Sequence, residues 1–150
     1  MDNYEQMNLS ENTEDYLEAI YRICLAKGSV RIKDIAENLG IKNPSVTQQI
    51  QKLAGMGLVE HESYGKVTLT EDGKRIGSLI DRRHRLFVDF LGRFLFIPEE
   101  IAQEEACRFE HAVSRMTVKH LEVLRDFMAD KDIRENYLRF ASERGIDVDR

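Results

Sequence analysis

The sequence is poor in cysteine and has no apolar run long enough to cross a bilayer. Its two cysteines, Cys24 and Cys107, lie far apart in the chain and cannot form the disulfide framework of a small secreted protein. Nothing near the N-terminus joins a basic segment to an apolar one, as a secretion signal does. These absences predict a cytoplasmic protein with free thiols and no membrane partner.

Positive charge is also scarce, since 22 Lys and Arg stand against 27 Asp and Glu and give a formal net charge of -5. Because DNA phosphates are bound by Lys and Arg, any contact with nucleic acid must come from a local patch. The chain has no internal repeat and no Gly/Ser linker. Its 150 residues, 42% of them hydrophobic, suffice for one or two modules.

Apolar residues at helical spacing dominate the N-terminal part of the chain. The first predicted helix ends at Gly28, a second runs to Gly40, and a third begins at Pro44. On the first helix the predicted apolar face consists of Leu17, Ile20, Tyr21, Cys24 and Leu25. Three helices in close succession, joined by brief turns, are therefore expected before residue 56.

Two short β-prone runs follow on either side of Tyr64 and Gly65 and predict a hairpin. Thr70 is then expected to cap a long helix whose second half is apolar on nearly every side, with further helices after Pro98 and Ser114. A helix that is apolar all round is usually buried, and the simplest partner for a short chain is a second copy of itself. We therefore expect a homodimer.

The order of helix, helix, turn, helix and hairpin is typical of a winged helix-turn-helix, whose third helix enters the major groove of DNA. We predict a mainly α fold with a small β-hairpin wing. A winged helix-turn-helix DNA-binding domain is expected over residues 1–72, and a helical metal-binding and dimerisation domain over residues 73–150.

The third helix presents a polar face without carboxylates, while Val46, Ile50 and Leu53 are predicted to point inward. Glutamine side chains pair with adenine edges, and hydroxyls and lysines bond bases or phosphates. The predicted DNA-binding residues are Lys42, Asn43, Pro44, Ser45, Thr47, Gln48, Gln49, Lys52, Tyr64 and Lys66. A merely solvated helix face, or a winged helix that binds protein, are the alternative interpretations.

A second constellation lies in the segment EACRFEH, where Cys107, Glu110 and His111 occupy positions i, i+3 and i+4 of a predicted helix. Side chains at this spacing lie on one side of a helix, and convergence of this kind is what a bound cation requires. A Cys-x-x-Glu-His pattern has few structural reasons to exist, so the signal favours a metal site.

Three further candidate ligands lie upstream: Asp15 and Glu18, one turn apart on the first helix, and His84 on the long helix. Carboxylate, imidazole and thiolate together suit octahedral Fe(II) or Mn(II), with sulfur favouring softer ions. As alternatives, the two carboxylates are charges favoured by the helix dipole, and His84 is an exposed helix residue. His61 and His120 are interpreted as surface residues.

The chain resembles the diphtheria toxin repressor and manganese transport regulator family, in its short two-domain branch. The resemblance rests on TEDYLEAIY in the first helix, NPSVTQQIQKL in the recognition helix, GLVEHESYGKVTLTEDGK in the wing, and RRHRL and EACRFEHAVS in later helices. It implies a metal-dependent repressor of metal-uptake genes that binds palindromic operator DNA as a homodimer. It also implies that the family's C-terminal SH3-like domain is absent.

By this resemblance, the metal ligands fall on Asp15, Glu18, His84, Cys107, Glu110 and His111, with Mn(II) or Fe(II) as the ion and Co(II), Ni(II), Zn(II) or Cd(II) as possible surrogates. Manganese-type members carry Asp at the position of Asp15 but Glu at that of Cys107, whereas iron-type members carry Met and Cys. The chain is a hybrid of the two. Val88 and Gln103 stand where iron-type members hold an ancillary site.

Two other functions remain as alternatives to the metal-dependent repressor. One is a metal-independent winged-helix regulator that senses a small organic ligand. The other is a thiol or metal hydrolase with Cys107 as nucleophile and His111 as base, which we disfavour because the thiol is expected on a packed helix without an open coordination position. We therefore expect a regulator and not an enzyme.

Overall fold

A computed structural model of the chain describes residues 9–62 and 65–148. The chain folds as two compact units, one ending at Asp81 and the other beginning at Arg82. The elements of the first unit are α1 (Glu11–Lys27), β1 (Val30–Arg31), α2 (Ile32–Leu39), α3 (Asn43–Gly55), β2 (Val59–His61), β3 (Lys66–Leu69) and the first part of α4 (Glu71–Asp89). Those of the second are the rest of α4, a π-helical turn (Phe90–Phe94), α5 (Glu99–Ala112), α6 (Arg115–Met128) and α7 (Lys131–Ser142).

The predicted mainly α fold with a small wing is confirmed. The glycines and hydroxyl residues that were predicted to end or begin helices lie at helix ends in the structure. Gly28 and Gly40 follow α1 and α2 in the left-handed conformation, with φ of 75° and 66°, which glycine adopts without steric cost. The hydroxyl of Thr70 accepts a hydrogen bond from the N–H of Gly73 at 3.0 Å, and that of Ser114 accepts one from the N–H of Thr117 at 3.2 Å. No helix of the described residues is long and apolar enough to span a membrane.

The wing is part of a three-stranded antiparallel sheet with β3 at its centre, in the order β1-β3-β2. Val59 pairs with Leu69 and His61 with Val67 in the predicted hairpin. Val67 also pairs with Val30 of β1, a strand that the sequence analysis did not predict. A strand of two residues carries no periodic signal, so its pairing is decided by the fold around it.

The core of the first unit is formed by apolar side chains of α1, α2, α3, β2, β3 and α4. Val46, Ile50 and Leu53 of α3 are fully buried there, as predicted. Leu25, predicted to lie on the apolar face of α1, is 68% exposed. Leu17 and Ile20 form the buried side of α1. Leu25 lies about 100° around the helix axis from Cys24, near the end of α1, and its side chain faces solvent.

The second unit departs from the prediction of one uninterrupted long helix. α4 ends at Asp89 and the backbone widens into the π-helical turn, where the N–H of Leu95 donates to the carbonyl of Phe90 at 3.2 Å. Phe96 then takes a positive φ of 57°, which ends the helical run before Pro98. Phe87 and Leu91 are buried against Ala102 and Ala106 of α5.

The close approach of α4 to α1 requires a glycine, because a Cβ at Gly77 would lie only 2.8 Å from the Cβ of Tyr21. We predict that Gly77→Ala lowers the free energy of unfolding by about 1–3 kcal/mol, as overpacking does in a tight core. Urea denaturation followed by circular dichroism measures this change.

The matched control is Gly55→Ala near the end of α3, where an added Cβ meets no atom within 4 Å. This variant is expected to keep or gain stability, by up to about 1 kcal/mol, because alanine favours the helix over glycine. A Gly77→Ala protein as stable as the control would contradict the close helix contact.

Candidate metal centre and DNA-binding surface

α5 brings together the three residues of the Cys-x-x-Glu-His pattern. The sulfur of Cys107, a carboxylate oxygen of Glu110 and a ring nitrogen of His111 all lie within 4.8 Å of one another. Glu110 is only 1% exposed, His111 is half-buried and Cys107 is exposed. The helix that carries the thiol is packed, as expected, through Ala102 and Ala106, but Cys107 itself is exposed whereas Glu110 is buried.

Glu110 carries a buried carboxylate whose two oxygens have different surroundings. Its Oε2 lies 2.9 Å from Nδ1 of His84. Its Oε1 is buried and has no hydrogen-bond partner among the described residues, and Nε2 of His111 lies 3.6 Å from it. A buried carboxylate without full hydrogen bonding is costly unless a cation or proton compensates it. The cluster therefore has the negative charge and the open acceptor that a metal ion would satisfy.

His84 is 5% exposed, so the alternative interpretation of this candidate ligand as an exposed helix residue is wrong. Besides the contact with Glu110, its Nε2 lies 3.1 Å from the side-chain oxygen of Gln103. A neutral imidazole donates through one nitrogen and keeps a lone pair on the other. Both ring nitrogens face oxygen atoms, so a neutral ring can donate to only one of them, and its other nitrogen would bind an ion only where the ion replaces that second contact.

The other two candidate ligands are on α1 in the first unit. Asp15 is half-buried and Glu18 is 8% exposed. The first turn of α1, where acidic residues favour the helix dipole, is occupied by Glu11 and Glu14. The helix dipole therefore accounts for Glu11 and Glu14. It gives no reason for Asp15 and Glu18, which lie beyond the first turn.

Glu18 is part of an ion-pair network that the sequence analysis did not identify. The guanidinium of Arg22 donates to Glu18 at 2.8 Å and to Asp81 of α4 at 2.8 Å. The spacing of Glu18 and Arg22 is a helical i, i+4 pair, but nothing in the sequence indicates that Asp81 meets them.

The remaining cysteine and histidines have no ligand partners in these clusters. Cys24 is packed against the core of the first unit, and burial raises the pKa of its thiol, which disfavours the thiolate that binds metals. His61 and His120 are exposed, as predicted.

The N-terminal part of α3 and the turn before it form a polar surface. Lys42, Asn43, Pro44, Ser45 and Gln48 are all exposed. Lys66 is exposed at the start of β3, whereas Tyr64 lies outside the described residues. These are the positions from which a recognition helix and its wing reach DNA.

Two of the predicted DNA-binding residues, Thr47 and Lys52, form side-chain hydrogen bonds within the first unit, and a third, Gln49, is half-buried there. The hydroxyl of Thr47 donates to the carbonyl of Asn43 at 3.1 Å. The side-chain oxygen of Gln49 is buried and has no partner among residues 9–62 and 65–148. Lys52 donates to the hydroxyl of Thr13 at 2.9 Å, which connects α3 to α1. Their DNA contacts remain predictions.

Comparison with known proteins places both units in one family. Residues 8–67 match the description "Iron dependent repressor, N-terminal DNA binding domain", and residues 70–133 match "Iron dependent repressor, metal binding and dimerisation domain". Together these matches extend over most of the chain.

Two curated relatives are transcriptional regulators. An uncharacterised HTH-type transcriptional regulator of Methanocaldococcus jannaschii is 36% identical over 124 residues, covering 82% of this chain and 99% of the relative. The HTH-type transcriptional regulator MntR of Bacillus subtilis is 34% identical over 126 residues, covering 84% of this chain and 88% of the relative.

Among solved structures, a manganese-dependent transcriptional repressor in complex with manganese is similar, with a TM-score of 0.65 and 35% identity. The match covers 74% of this chain and 51% of the solved chain, so this protein spans about half the length of that structure. The domain matches, the identities and the shared fold agree with the family resemblance of the sequence. The chain therefore belongs to the iron-dependent repressor family of metal-dependent transcriptional regulators, which includes the diphtheria toxin repressor and manganese transport regulator types.

Proposed function

We propose that this chain is a metal-dependent DNA-binding repressor that takes Mn(II) or Fe(II) as its activating ion and controls genes for metal uptake. The ion is bound by Asp15, Glu18, His84, Cys107, Glu110 and His111. The observation that carries the proposal is the buried Glu110, whose Oε1 has no hydrogen-bond donor among the described residues while His84, Cys107 and His111 surround it.

The donor set decides which ions suit these residues. Carboxylate and imidazole groups suit Mn(II) and Fe(II), and the thiolate of Cys107 shifts the preference towards Fe(II) and softer ions. A bound divalent ion supplies the positive charge that the buried Glu110 lacks. Co(II), Ni(II), Zn(II) and Cd(II) are proposed as surrogates because they accept the same donor types.

Control of DNA binding follows from where the ligands lie along the chain. Asp15 and Glu18 belong to α1 of the DNA-binding unit, whereas the other four ligands belong to the second unit. When residues of both units hold one ion, the recognition helix is fixed relative to the second unit. In a homodimer, this sets the separation of two recognition helices to the half-sites of a palindrome, about 34 Å apart.

The proposed homodimer fits the surface of the second unit. No residue of α6 is fully buried, and Met116, Val123 and Phe127 are 67%, 62% and 60% exposed. These residues follow one another at helical spacing, so they form an apolar stripe on α6. Burial of such a stripe against a second copy removes apolar surface from water, which favours association.

The ligand assignment is tested by Asp15→Ala and His111→Ala. Both variants are expected to lose the metal-stimulated gain in operator affinity, which a coupling of about 1–3 kcal/mol makes roughly tenfold to a hundredfold in the wild type. Fluorescence anisotropy on a labelled palindrome, with anaerobic Mn(II) or Fe(II) titration, measures it.

His120→Ala is the matched control, because His120 is exposed and lies outside the cluster. It is expected to respond to metal like the wild type, and all variants should elute as dimers. A full metal response in both Asp15→Ala and His111→Ala would disprove the proposed centre.

Base recognition is tested by Gln48→Ala. We expect the variant to bind the operator about 1–3 kcal/mol more weakly than the wild type, because the paired amide contact is absent. On an operator with the contacted base pair changed, the variant and the wild type should bind equally. Metal affinity, measured by calorimetry, should stay the same. Gln51→Ala, exposed on the same helix, serves as control; an equal loss in both variants on every operator sequence would contradict base readout by Gln48.

Metal preference is tested by Cys107→Glu, which replaces the thiolate by the carboxylate of manganese-type members. The midpoints for activation by Mn(II), Fe(II), Co(II) and Zn(II) are compared in anisotropy titrations. We expect the ratio of the Zn(II) midpoint to the Mn(II) midpoint to rise about tenfold, equivalent to ~1.4 kcal/mol, because the soft donor is lost. Cys24→Ala controls for removal of a thiol elsewhere, and a ratio unchanged by Cys107→Glu would mean that the sulfur does not bind the ion.

A further inference from the structure

The first unit contains a compact charge network around Arg22. Its Nη2 donates to Oε1 of Glu18 and its Nε to Oδ1 of Asp81, both at 2.8 Å. The side chains of Glu18 and Asp81 are only 10% and 7% exposed, whereas that of Arg22 is 42% exposed. One guanidinium thus serves two buried carboxylates on different helices, α1 and α4.

The planar guanidinium is suited to this bridging role, because its donors have fixed directions and can bond two acceptors at once. A buried carboxylate is stable only when paired, so Arg22 compensates a cost that Glu18 and Asp81 would otherwise carry. These three side chains together carry two negative charges and one positive charge. A divalent cation bound to Glu18 would offset the cost of its buried negative charge, as the guanidinium of Arg22 does.

We propose that Arg22 competes with the metal ion for Glu18 and so raises the metal concentration at which the repressor is activated. This inference rests on the proposed function, in which Glu18 is a ligand. The guanidinium withdraws electron density from the carboxylate that it bonds, and its positive charge repels a divalent ion nearby. Both effects weaken metal binding at Glu18.

Asp81 limits this competition. It neutralises part of the charge of Arg22 and draws the guanidinium towards α4. Removing Asp81 takes away the second acceptor of Arg22, so that more of its positive charge acts on Glu18, whereas removing Arg22 takes a positive charge and a hydrogen bond away from each of the two buried carboxylates. The two removals therefore act on metal affinity in opposite directions. A purely positional role for Arg22 predicts weaker metal binding after either removal.

The experiment measures the dissociation constant of Mn(II) by competition with a fluorescent chelator, in full-length wild type, Arg22→Gln and Asp81→Asn. We expect Arg22→Gln to bind Mn(II) about tenfold more tightly, since a hydrogen bond to a charged group is worth about that factor. Asp81→Asn should bind several-fold more weakly. In the presence of EDTA, Arg22→Gln should also melt at a lower temperature, with a larger rise on addition of Mn(II).

Arg75→Gln is the matched control, because it removes one arginine from a helical Arg–Asp pair with Asp72 at 3.2 Å on α4 and changes the net charge equally. It should leave the Mn(II) dissociation constant as in the wild type. Unchanged or weaker Mn(II) binding in folded Arg22→Gln overturns the inference while wild-type metal activation upholds the proposed function. If Arg22→Gln does not fold, the inference is tested with Asp81→Asn alone. Mn(II) binding by Asp81→Asn as tight as that of the wild type then overturns the inference. Wild-type protein that binds no Mn(II) overturns both.

Discussion

Burial of carboxylates is the constraint on which this structure depends. Glu18, Asp81 and Glu110 are each less than 10% exposed in a chain of modest size. A buried carboxylate loses strong hydration and must be paired, protonated or bound to a cation. The helices that carry these groups are therefore arranged around positive partners, and the two units use different ones.

In the first unit the partner is Arg22, which is part of the chain and always charged. In the second unit the ring nitrogens of His84 and His111 lie beside Glu110, and a histidine is positively charged only when it is protonated. The carboxylates of the first unit each accept a hydrogen bond from a permanent cation, whereas Glu110 keeps an acceptor oxygen without a donor among the described residues. The buried acceptor that an external cation would satisfy therefore lies on α5, whereas the carboxylates of the first unit have a cation of the chain itself beside them.

The sequence allowed the fold to be predicted wherever local physics decides it. Apolar periodicity gave the helices, glycines gave the ends of α1 and α2, and hydroxyl caps gave the starts of α4 and α6. The i, i+3, i+4 spacing likewise gave the cluster on α5. Features decided by packing between elements were missed or wrong: the short β1, the exposed Leu25, the π-helical turn after Asp89 and the Arg22–Asp81 pair. No residue spacing along the chain encodes these contacts.

In the DNA-binding unit, a polar contact joins α1 to α3 in addition to the hydrophobic core that the two helices share. Lys52 of α3 donates to the buried hydroxyl of Thr13, which also bonds the hydroxyl of Ser10. Thr13 stands two residues before Asp15, so α1 holds α3 at the same end that carries the proposed ligands. The ammonium group of Lys52 is thus used, at least in part, to join two helices of the first unit. In a chain of net charge -5, positive charge near the recognition helix is limited, so this bond places one of its cations in a structural role.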